Sequence, residues 1–435
     1  MSVVLCDYGL DPVLGRVVRD YAVVFEGGVI VDAGGRGEML RLYPGYEKFR
    51  VGRGVLSPSF VDSHTHLPMV LLRGRAGLVG MDEWFSDVVH PRERLLGVGE
   101  VGLGALVGGV ELALGGVSGF VDMYFHEQSV VEAGRRLGLR GVYTYGMVDN
   151  GDPSKAEVEL RETRRLLDYV AALGDERVRG AVAPHAPYTC SPALLREASA
   201  LASERGVDLH IHLAERVDEK RLVQEKFGLS VGDWATYLRG VGALGGGVSP
   251  VCFHCTHMVV EEFSQLKRGG GFVVLNPTSN LRLGNGAPPI SSVASSGVRF
   301  GLGTDGAASN DDLSVLSEAK LLALLAGPNS GVGVWDVIRA LTLPAERFFG
   351  VKVGLRRGCT ADLALFSMRP GSNPAADPSL GLVFSPGGFK CEYLFVGGKT
   401  VVDAGSVVGV NVEWLMDEYE RSVNGLEGRL AGFER

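Results

Sequence analysis

The sequence predicts an α/β fold, with a (β/α)8 barrel of the TIM type and a small discontinuous β-sandwich domain built from both termini. Between residues 57 and 350, short apolar strands alternate with longer helical stretches, a pattern typical of β/α units around a parallel sheet. Strand-like segments return at both ends of the chain. A length of 435 residues suits a barrel of roughly 250 residues with additions.

The N-terminal segment, residues 1–56, forms the first part of the predicted sandwich. Apolar and polar residues alternate from Arg16 to Val31 around Gly27 and Gly28, which indicates a hairpin. The barrel follows over residues 57–350, with helices that include Ser154 to Leu173, Ser191 to Arg205 and Asp312 to Leu325. Eight candidate strands end at His66, His126, Met147, His185, His212, His254, Asn276 and Asp305.

The C-terminal segment returns to strand patterns over residues 351–410, which complete the predicted sandwich. The stretches Asp362 to Phe366 and Tyr393 to Val402 are strand-like, and the second turns at Gly397 and Gly398. Residues 411–435 are expected to form a C-terminal helix, because Val412 to Phe433 has a helical pattern.

Composition excludes several classes of protein. A net charge of −8 argues against a nucleic-acid partner, since phosphate binding favours a basic surface. The sequence contains no run of about 18 apolar residues, so no membrane span is expected. Six scattered cysteines suit a reducing compartment, so we expect a cytoplasmic protein. We also expect a homo-oligomer.

A metal site is predicted at the carboxyl ends of the barrel strands, where functional groups of such barrels lie. His64 and His66 stand at positions i and i+2 of one strand, so their side chains point to the same face. Alone, such a pair could be two polar residues at a strand end. With His212 and Asp305 it supplies three imidazoles and a carboxylate, which can hold one divalent metal and leave a position for water.

Two further residues are candidates for acid–base chemistry. Glu215 lies three residues beyond His212 and can act as a proton shuttle, although a solvated charge before a helix is the alternative. His254 can stabilise the reacting centre, and Asp305 can accept the proton of the water. Other histidines are assigned no catalytic part: His210 is expected in the core, and His90 and His257 have no assigned role.

Substrate contacts are expected around this centre. His126 and His185 end the second and fourth predicted strands, at the mouth of the predicted barrel. Trp84 and Glu93 lie in the loop after the first strand, which can reach over the pocket.

In several stretches that include these residues, the sequence resembles the amidohydrolase superfamily. Within it, the chain is similar to the branch of S-adenosylhomocysteine, 5′-methylthioadenosine and adenosine deaminases, which is related to the triazine hydrolases. The matching stretches are Asp62 to Met69, Phe120 to Glu127, Pro184 to Tyr188, His212 to Glu215, Ser279 to Gly286 and Gly303 to Asn310.

The resemblance implies one divalent metal, zinc with iron as the alternative, held by His64, His66, His212 and Asp305. Glu215 and His254 match the proton shuttle and the catalytic histidine of the family. Glu93 matches a residue that holds the ribose hydroxyls, and His185 matches a substrate-binding histidine. The implied reaction is hydrolytic deamination of an adenine nucleoside at purine C6, with protonation of N1 through Glu215 and loss of ammonia.

One departure from the family concerns the 5′ end of the substrate. Tyr145 stands where relatives that act on S-adenosylhomocysteine can carry an arginine for its carboxylate, and Lys155 is the only cation in the next loop. A tyrosine offers apolar area and one hydroxyl. We therefore expect Tyr145 to contact the substrate and small uncharged 5′ groups to be preferred, as in 5′-methylthioadenosine, 5′-deoxyadenosine and adenosine.

Three alternatives remain open from the sequence. A binuclear amidohydrolase would need a bridging lysine on strand four, and the stretch Arg179 to His185 contains none. A mononuclear deaminase or dechlorinase acting on guanine or an s-triazine would use the same ligands. A non-catalytic nucleoside-binding barrel would be signalled by loss of a ligand or of the shuttle, and none is lost.

Overall fold

The computed structural model describes residues 2–373 and 375–433. Its strands are β1 (Ser2–Asp11), β2 (Arg16–Glu26), β3 (Val29–Gly35), β4 (Glu47–Arg50), β5 (Gly54–Pro58), β6 (Phe60–His66), β7 (Val117–Tyr124), β8 (Arg140–Met147), β9 (Val178–Gly180), β10 (Ala183–Pro184), β11 (Leu209–Leu213), β12 (Pro250–His254), β13 (Phe272–Leu275), β14 (Phe300–Leu302), β15 (Asp305–Gly306), β16 (Leu363–Met368), β17 (Phe389–Val396), β18 (Lys399–Asp403) and β19 (Ser406–Val407).

The helices are α1 (Arg36–Leu42), α2 (Met81–Glu83), α3 (His90–Glu93), α4 (Val98–Leu114), α5 (Glu127–Leu137), α6 (Pro153–Leu173), α7 (Pro192–Arg205), α8 (Glu219–Phe227), α9 (Trp234–Gly240), α10 (Val260–Arg268), α11 (Pro277–Arg282), α12 (Ile290–Ser296), α13 (Ala307–Asn310), α14 (Val315–Ala326), α15 (Val334–Thr342), α16 (Pro344–Phe349), α17 (Pro378–Phe384) and α18 (Val412–Phe433). Short 3₁₀ segments lie at Leu67–Leu72 and Pro386–Gly388, and a π-helical turn lies at Trp84–Val89.

Strands from both ends of the chain share one sheet, in the order β19-β18-β17-β16-β5-β1-β2-β3, with β4 also paired to β1. The pairing of β16 with β5 joins the two ends. Both expected hairpin turns are present. Gly27 (φ +56°) and Gly28 (φ +83°) link β2 to β3, and Gly397 and Gly398 (φ +55° and +72°) link β17 to β18. Two successive positive φ angles match the twist of a tight hairpin, which is why glycine occupies these positions.

The central part of the chain forms two parallel sheets, ordered β10-β8-β7-β6-β15 and β11-β12-β13-β14, with β9 paired to β8. One isolated bridge, Val182 to Leu209, lies between the first sheet and the second. The sheets also share a buried cluster to which both contribute. Its members include Val61, Val121 and Val142 from the first sheet and Phe253 and Val274 from the second. The predicted mixture of strands and helices is confirmed.

Several predicted boundaries need correction. The second strand of the parallel region ends at Tyr124, two residues before the expected His126. His126 has φ +53° and precedes α5, and a left-handed backbone cannot continue a strand. Helix α14 begins at Val315 rather than Asp312, because the Ser314 hydroxyl caps it by accepting from the Ser317 N–H.

The predicted C-terminal helix corresponds to α18. The last two residues of its expected range, 434 and 435, lie outside the described residues, as does Met1 at the other end. Within the described chain, no single helix has the length and apolar content to cross a membrane. The helical segments Met81–Glu93 and Val98–Leu114 have the required length and apolar content only when they are counted together, and a bend of 118° separates them.

Candidate active site

The four predicted metal ligands lie together at the carboxyl ends of the parallel strands. His64 and His66 end β6, His212 lies in β11, and Asp305 opens β15, where it pairs with Thr65. Oδ1 of Asp305 lies 3.1 Å from Nε2 of His66 and 3.5 Å from Nε2 of His64. Ligand atoms of His64, His66 and His212 all lie within 4.8 Å of one another.

The chemistry of this set fits a divalent metal. His64 is fully buried, and its Nδ1 has no hydrogen-bond partner among residues 2–373 and 375–433. Burial lowers the pKa of His64 to about 3, so its ring is neutral and keeps a lone pair for a ligand. A buried imidazole without partners is costly unless it binds something. His254 extends the set, since His64, His254 and Asp305 form a second group of the same size.

Main-chain carbonyls orient two of the imidazoles. Nδ1 of His66 donates to the Met123 carbonyl at 2.5 Å, and Nδ1 of His212 donates to the His185 carbonyl at 2.9 Å. With the proton held on Nδ1, the Nε2 lone pair of each ring is free to bind a metal. This arrangement of an outer acceptor behind a ligating histidine is common in metal sites.

Asp305 is held as an ionised carboxylate. Its Oδ2 accepts hydrogen bonds from the Ser279 hydroxyl at 2.6 Å and the Ser309 hydroxyl at 3.2 Å. Burial would raise the pKa of Asp305, but His64 and His66 outweigh it and bring that pKa well below its usual range. Burial lowers the pKa of His66, and the Asp305 carboxylate more than reverses this, to about 9. A metal ion at Nε2 would therefore have to displace a proton from this ring.

The backbone is strained around this centre. Ala214, His254 and Asp305 have φ of +50°, +66° and +61°. The left-handed region costs a residue other than glycine about 1–3 kcal/mol, and such strain concentrates at functional sites. The surrounding hydrogen bonds therefore hold these strand ends against a local preference.

Glu215 lies inside the site rather than on the surface. The residue is 4% exposed, and α8 begins four residues later, at Glu219. The Glu219 carboxylate accepts from the main-chain N–H groups of Ala214 (3.1 Å) and Glu215 (3.0 Å). Oε1 of Glu215 lies 3.8 Å from Nδ1 of His254, and burial raises the pKa of Glu215. This burial does not suit a solvated charge before a helix.

A cavity of about 520 Å³ opens above the centre. Its wall includes the metal-site residues His66, His212 and Asp305, and the acid–base residues Glu215 and His254. Three predicted substrate contacts also line it, namely Trp84, Glu93 and His185. Burial raises the pKa of Glu93 to about 7, although the Tyr124 hydroxyl and His66 act in the opposite direction.

Tyr145 and His126 do not line this cavity, so their expected contact with the substrate stays a prediction. Tyr145 faces the carboxylate of Glu159 on α6, and its burial, together with Glu159, raises its pKa to about 12. Side chains alternate along β8, so the cavity receives Gly146 instead. His126 is exposed and packs its edge against Phe125, with ring centroids 5.3 Å apart.

Sequence reasoning missed several residues of the cavity wall. Lys226 and Asn150 line it, with Lys226 Nζ donating to Asn150 Oδ1 at 2.9 Å. His90 also lines it and stacks on Phe85 at 5.2 Å between centroids. Lys226 lies on α8, eleven residues after Glu215. Its approach to the cavity depends on the path of the chain between the two residues, which no sequence pattern indicates. His210 is completely buried, which fits its expected position in the core.

Comparisons with known proteins agree with this geometry. The model of the amidohydrolase family matches residues 55–401. A 5-methylthioadenosine/S-adenosylhomocysteine deaminase of Pyrococcus abyssi is 36% identical over 382 residues, covering 86% of this chain and 89% of that protein. A 5′-deoxyadenosine deaminase of Methanothermobacter thermautotrophicus is 34% identical over 428 residues, covering 94% and 99%. The solved adenosine deaminase of Xanthomonas campestris with bound zinc shares the fold, with a TM-score of 0.88 and 23% identity over 98% of each chain.

Proposed function

Because this chain belongs to the amidohydrolase family, we propose that it is a metal-dependent deaminase that hydrolyses adenine nucleosides and releases ammonia. The observation that carries the proposal is the placement of a buried carboxylate, Glu215, on the same cavity wall as His66, His212 and Asp305. That combination joins a metal site to a proton shuttle. The curated relatives, named as deaminases of 5′-substituted adenosines, indicate the substrate class.

We infer that the two parallel sheets close into one eight-stranded barrel over residues 57–350. The Val182–Leu209 bridge, the pairing of β15 with β6 and the core cluster shared by both sheets support closure. Residues 1–56 and 351–410 form the flanking β-sandwich domain in this proposal, and residues 411–435 form the terminal helix. The site then lies at the carboxyl ends of the strands, the catalytic face of such barrels.

We propose His64, His66, His212 and Asp305 as the residues that hold one divalent metal. Three imidazoles and a carboxylate favour zinc, which is also the ion in the Xanthomonas deaminase, and iron is the alternative. When bound, the ion lowers the pKa of water and so supplies a nucleophile at neutral pH.

The residues of the chain supply the proton transfers of the proposed reaction. Glu215 takes a proton from the attacking water and gives it to N1 of the purine, which makes C6 more electrophilic. Asp305 accepts the second proton and returns it to the departing amino group, which leaves as ammonia. His254 donates from Nδ1 to Asn280 at 2.8 Å and presents Nε2 to the reacting centre.

The remaining wall of the cavity recognises the nucleoside in this proposal. Glu93 accepts hydrogen bonds from the ribose hydroxyls, His185 contacts the substrate, and Trp84 closes the pocket beside them. Lys226 is the cation for an acidic 5′ group, because the other cation of the wall, Arg216, already pairs with Asp82 and Asp218. Substrates with and without a 5′ carboxylate therefore fall within the proposed range.

A substrate panel tests the proposed function. The purified protein is supplied with zinc and given adenosine, 5′-deoxyadenosine, 5′-methylthioadenosine, S-adenosylhomocysteine or guanine. Conversion of adenine to hypoxanthine changes the absorbance, and ammonia is measured in parallel. We expect turnover of at least one adenine nucleoside. Turnover confined to guanine or to an s-triazine would contradict the proposal.

A further inference from the structure

The stretch Ser279–Gly286 covers the second half of α11 and the loop after it, and it supplies no group that exchanges a proton in the mechanism above. Its polar side chains Ser279, Asn280 and Asn285 are nevertheless buried. Each bonds a different group of the site: Ser279 Oγ to Asp305 Oδ2 (2.6 Å), Asn280 Oδ1 to His254 Nδ1 (2.8 Å), and Asn285 Nδ2 to Glu215 Oε1 (3.1 Å).

We propose that this stretch is a positioning clamp that fixes the relative placement of Glu215, His254 and Asp305. The inference rests on the proposed function, because it assigns Glu215 and His254 their acid–base parts. The three clamped residues follow or end three different strands, and one short segment on the loop after β13 bonds them all. A displacement of about 1 Å in such a constellation can cost about a hundredfold in rate.

Asn285 controls the direction of the Glu215 carboxylate. The main chain at Glu215 is already held by Glu219, so the remaining freedom is rotation of the side chain. The amide donor of Asn285 occupies Oε1 and leaves Oε2 to exchange the proton. Asn285 is itself held, since its N–H donates to the Asn280 carbonyl at 2.8 Å.

Asn280 controls the ring of His254. Its Nδ2 donates to the Thr256 hydroxyl at 2.8 Å, which fixes the amide so that Oδ1 faces Nδ1 of His254. The ring thus carries its proton on Nδ1 and directs Nε2 toward the centre. His254 has φ +66°, so its position depends on bonds of this kind.

The clamp is anchored from outside the site. The main-chain N–H of Thr278 donates to the Glu318 carboxylate at 3.0 Å, and the other oxygen of Glu318 accepts from Asn310 at 2.8 Å. Asn310 is the last residue of α13, the helix that directly follows β15 and Asp305. Glu318 therefore connects the clamp to the segment that carries the metal-site carboxylate.

A double-mutant cycle tests the pair Asn285 and Glu215. Asn285→Leu keeps the volume and removes the donor, and we expect kcat to fall about ten- to hundredfold with little change in KM or zinc content. In a Glu215→Gln background the same change should alter kcat less than about threefold, because residues that act as one unit are not additive. Leu281→Ala, at an exposed position of the same stretch, is the matched control and should leave kcat unchanged. Asn280→Leu in a His254→Ala background gives a second cycle if Asn285→Leu does not fold.

Zinc retention provides a readout that is independent of turnover. Ser279→Ala removes one of the two hydroxyl bonds to Asp305, so its zinc affinity measured against a chelator should fall roughly tenfold or more. If the losses of kcat in the single variants multiply in the double variants, or if Ser279→Ala leaves the zinc affinity unchanged, the clamp is contradicted. Wild-type protein that deaminates no nucleoside would instead contradict the proposed function, and the clamp with it.

Discussion

Glu215 carries the acid–base chemistry of the proposed reaction. Glu215→Gln keeps the shape of the side chain and removes its proton exchange, so we expect kcat to fall about 10²–10⁴-fold while zinc content stays at one per chain. The change Glu225→Gln, at an exposed position of α8, is the control. A rate of Glu215→Gln near that of the wild type would contradict the acid–base role of Glu215.

The same residue predicts the pH dependence of the wild type. The reaction begins with Glu215 ionised, and burial raises its pKa above the ordinary 4.5. As the pH falls, the carboxylate is therefore protonated earlier than a solvated glutamate would be. We expect kcat/KM to decline with an acid midpoint above 4.5. A midpoint at or below that value would contradict the assignment.

Lys226 is the residue proposed to bind an acidic 5′ group of the substrate. The sequence-based preference for small uncharged groups depended on Tyr145, which faces Glu159 outside the cavity. We expect Lys226→Met to lower kcat/KM for S-adenosylhomocysteine about ten- to hundredfold, the equivalent of about 1.5–3 kcal/mol for a lost charged hydrogen bond. The value for 5′-methylthioadenosine should hardly change. Lys220→Met on the same helix is the control, and equal losses on both substrates would contradict the prediction.

At the scale of an element, the helical stretch Met81–Glu93 covers the cavity. Trp84 anchors it, because its indole N–H donates to the Ala308 carbonyl at 3.0 Å. If Glu93 binds the ribose, Glu93→Gln should weaken nucleosides by about 1.5–3 kcal/mol for each hydroxyl contact. Slow activity on free adenine should be spared. Exposed Glu83 supplies the control, Glu83→Gln, and an equal loss on nucleoside and free base would argue against ribose recognition.

The strands that the sequence predicted best are those whose ends carry the site. His64, His66, His212 and Asp305 lie close together, as expected for residues at strand ends that meet at one edge of parallel sheets. Their part as metal ligands stays a prediction. Tyr145 faces Glu159 and does not line the cavity, because a resemblance aligns a position but does not say on which face of β8 its side chain lies.

The contacts of the stretch Ser279–Gly286 could not be predicted from the sequence. Its residues were recognised as a matching stretch, but nothing in their order indicates which strand end each side chain reaches. Lys226 and Asn150 were missed for the same reason, since their contact joins α8 to the turn before α6, across 76 positions of the chain. Such contacts depend on tertiary packing, which a single sequence does not encode as a local pattern.

At the scale of the whole molecule, the metal should stabilise the fold. Its proposed ligands extend from His64 to Asp305, so an ion that binds only the folded state connects distant strands. We expect removal of the metal by a chelator to lower Tm, and His66→Ala and Asp305→Ala to reproduce the effect without chelator. His257→Ala, at an exposed position, should retain the metal and the wild-type Tm. A Tm that is insensitive to chelator would contradict this prediction.

The expected homo-oligomer and cytoplasmic location stay predictions. The size of the assembly in solution is measured directly by sedimentation, and a monomer at micromolar concentration would contradict the first of them.

In the proposed function, one metal ion per chain supports deamination of an adenine nucleoside. Metal-free protein is titrated with zinc while ammonia release from 5′-methylthioadenosine is followed at each addition. We expect activity to rise linearly and to stop rising at one equivalent of zinc per chain. A break at two equivalents, or full activity in the metal-free protein, would contradict it.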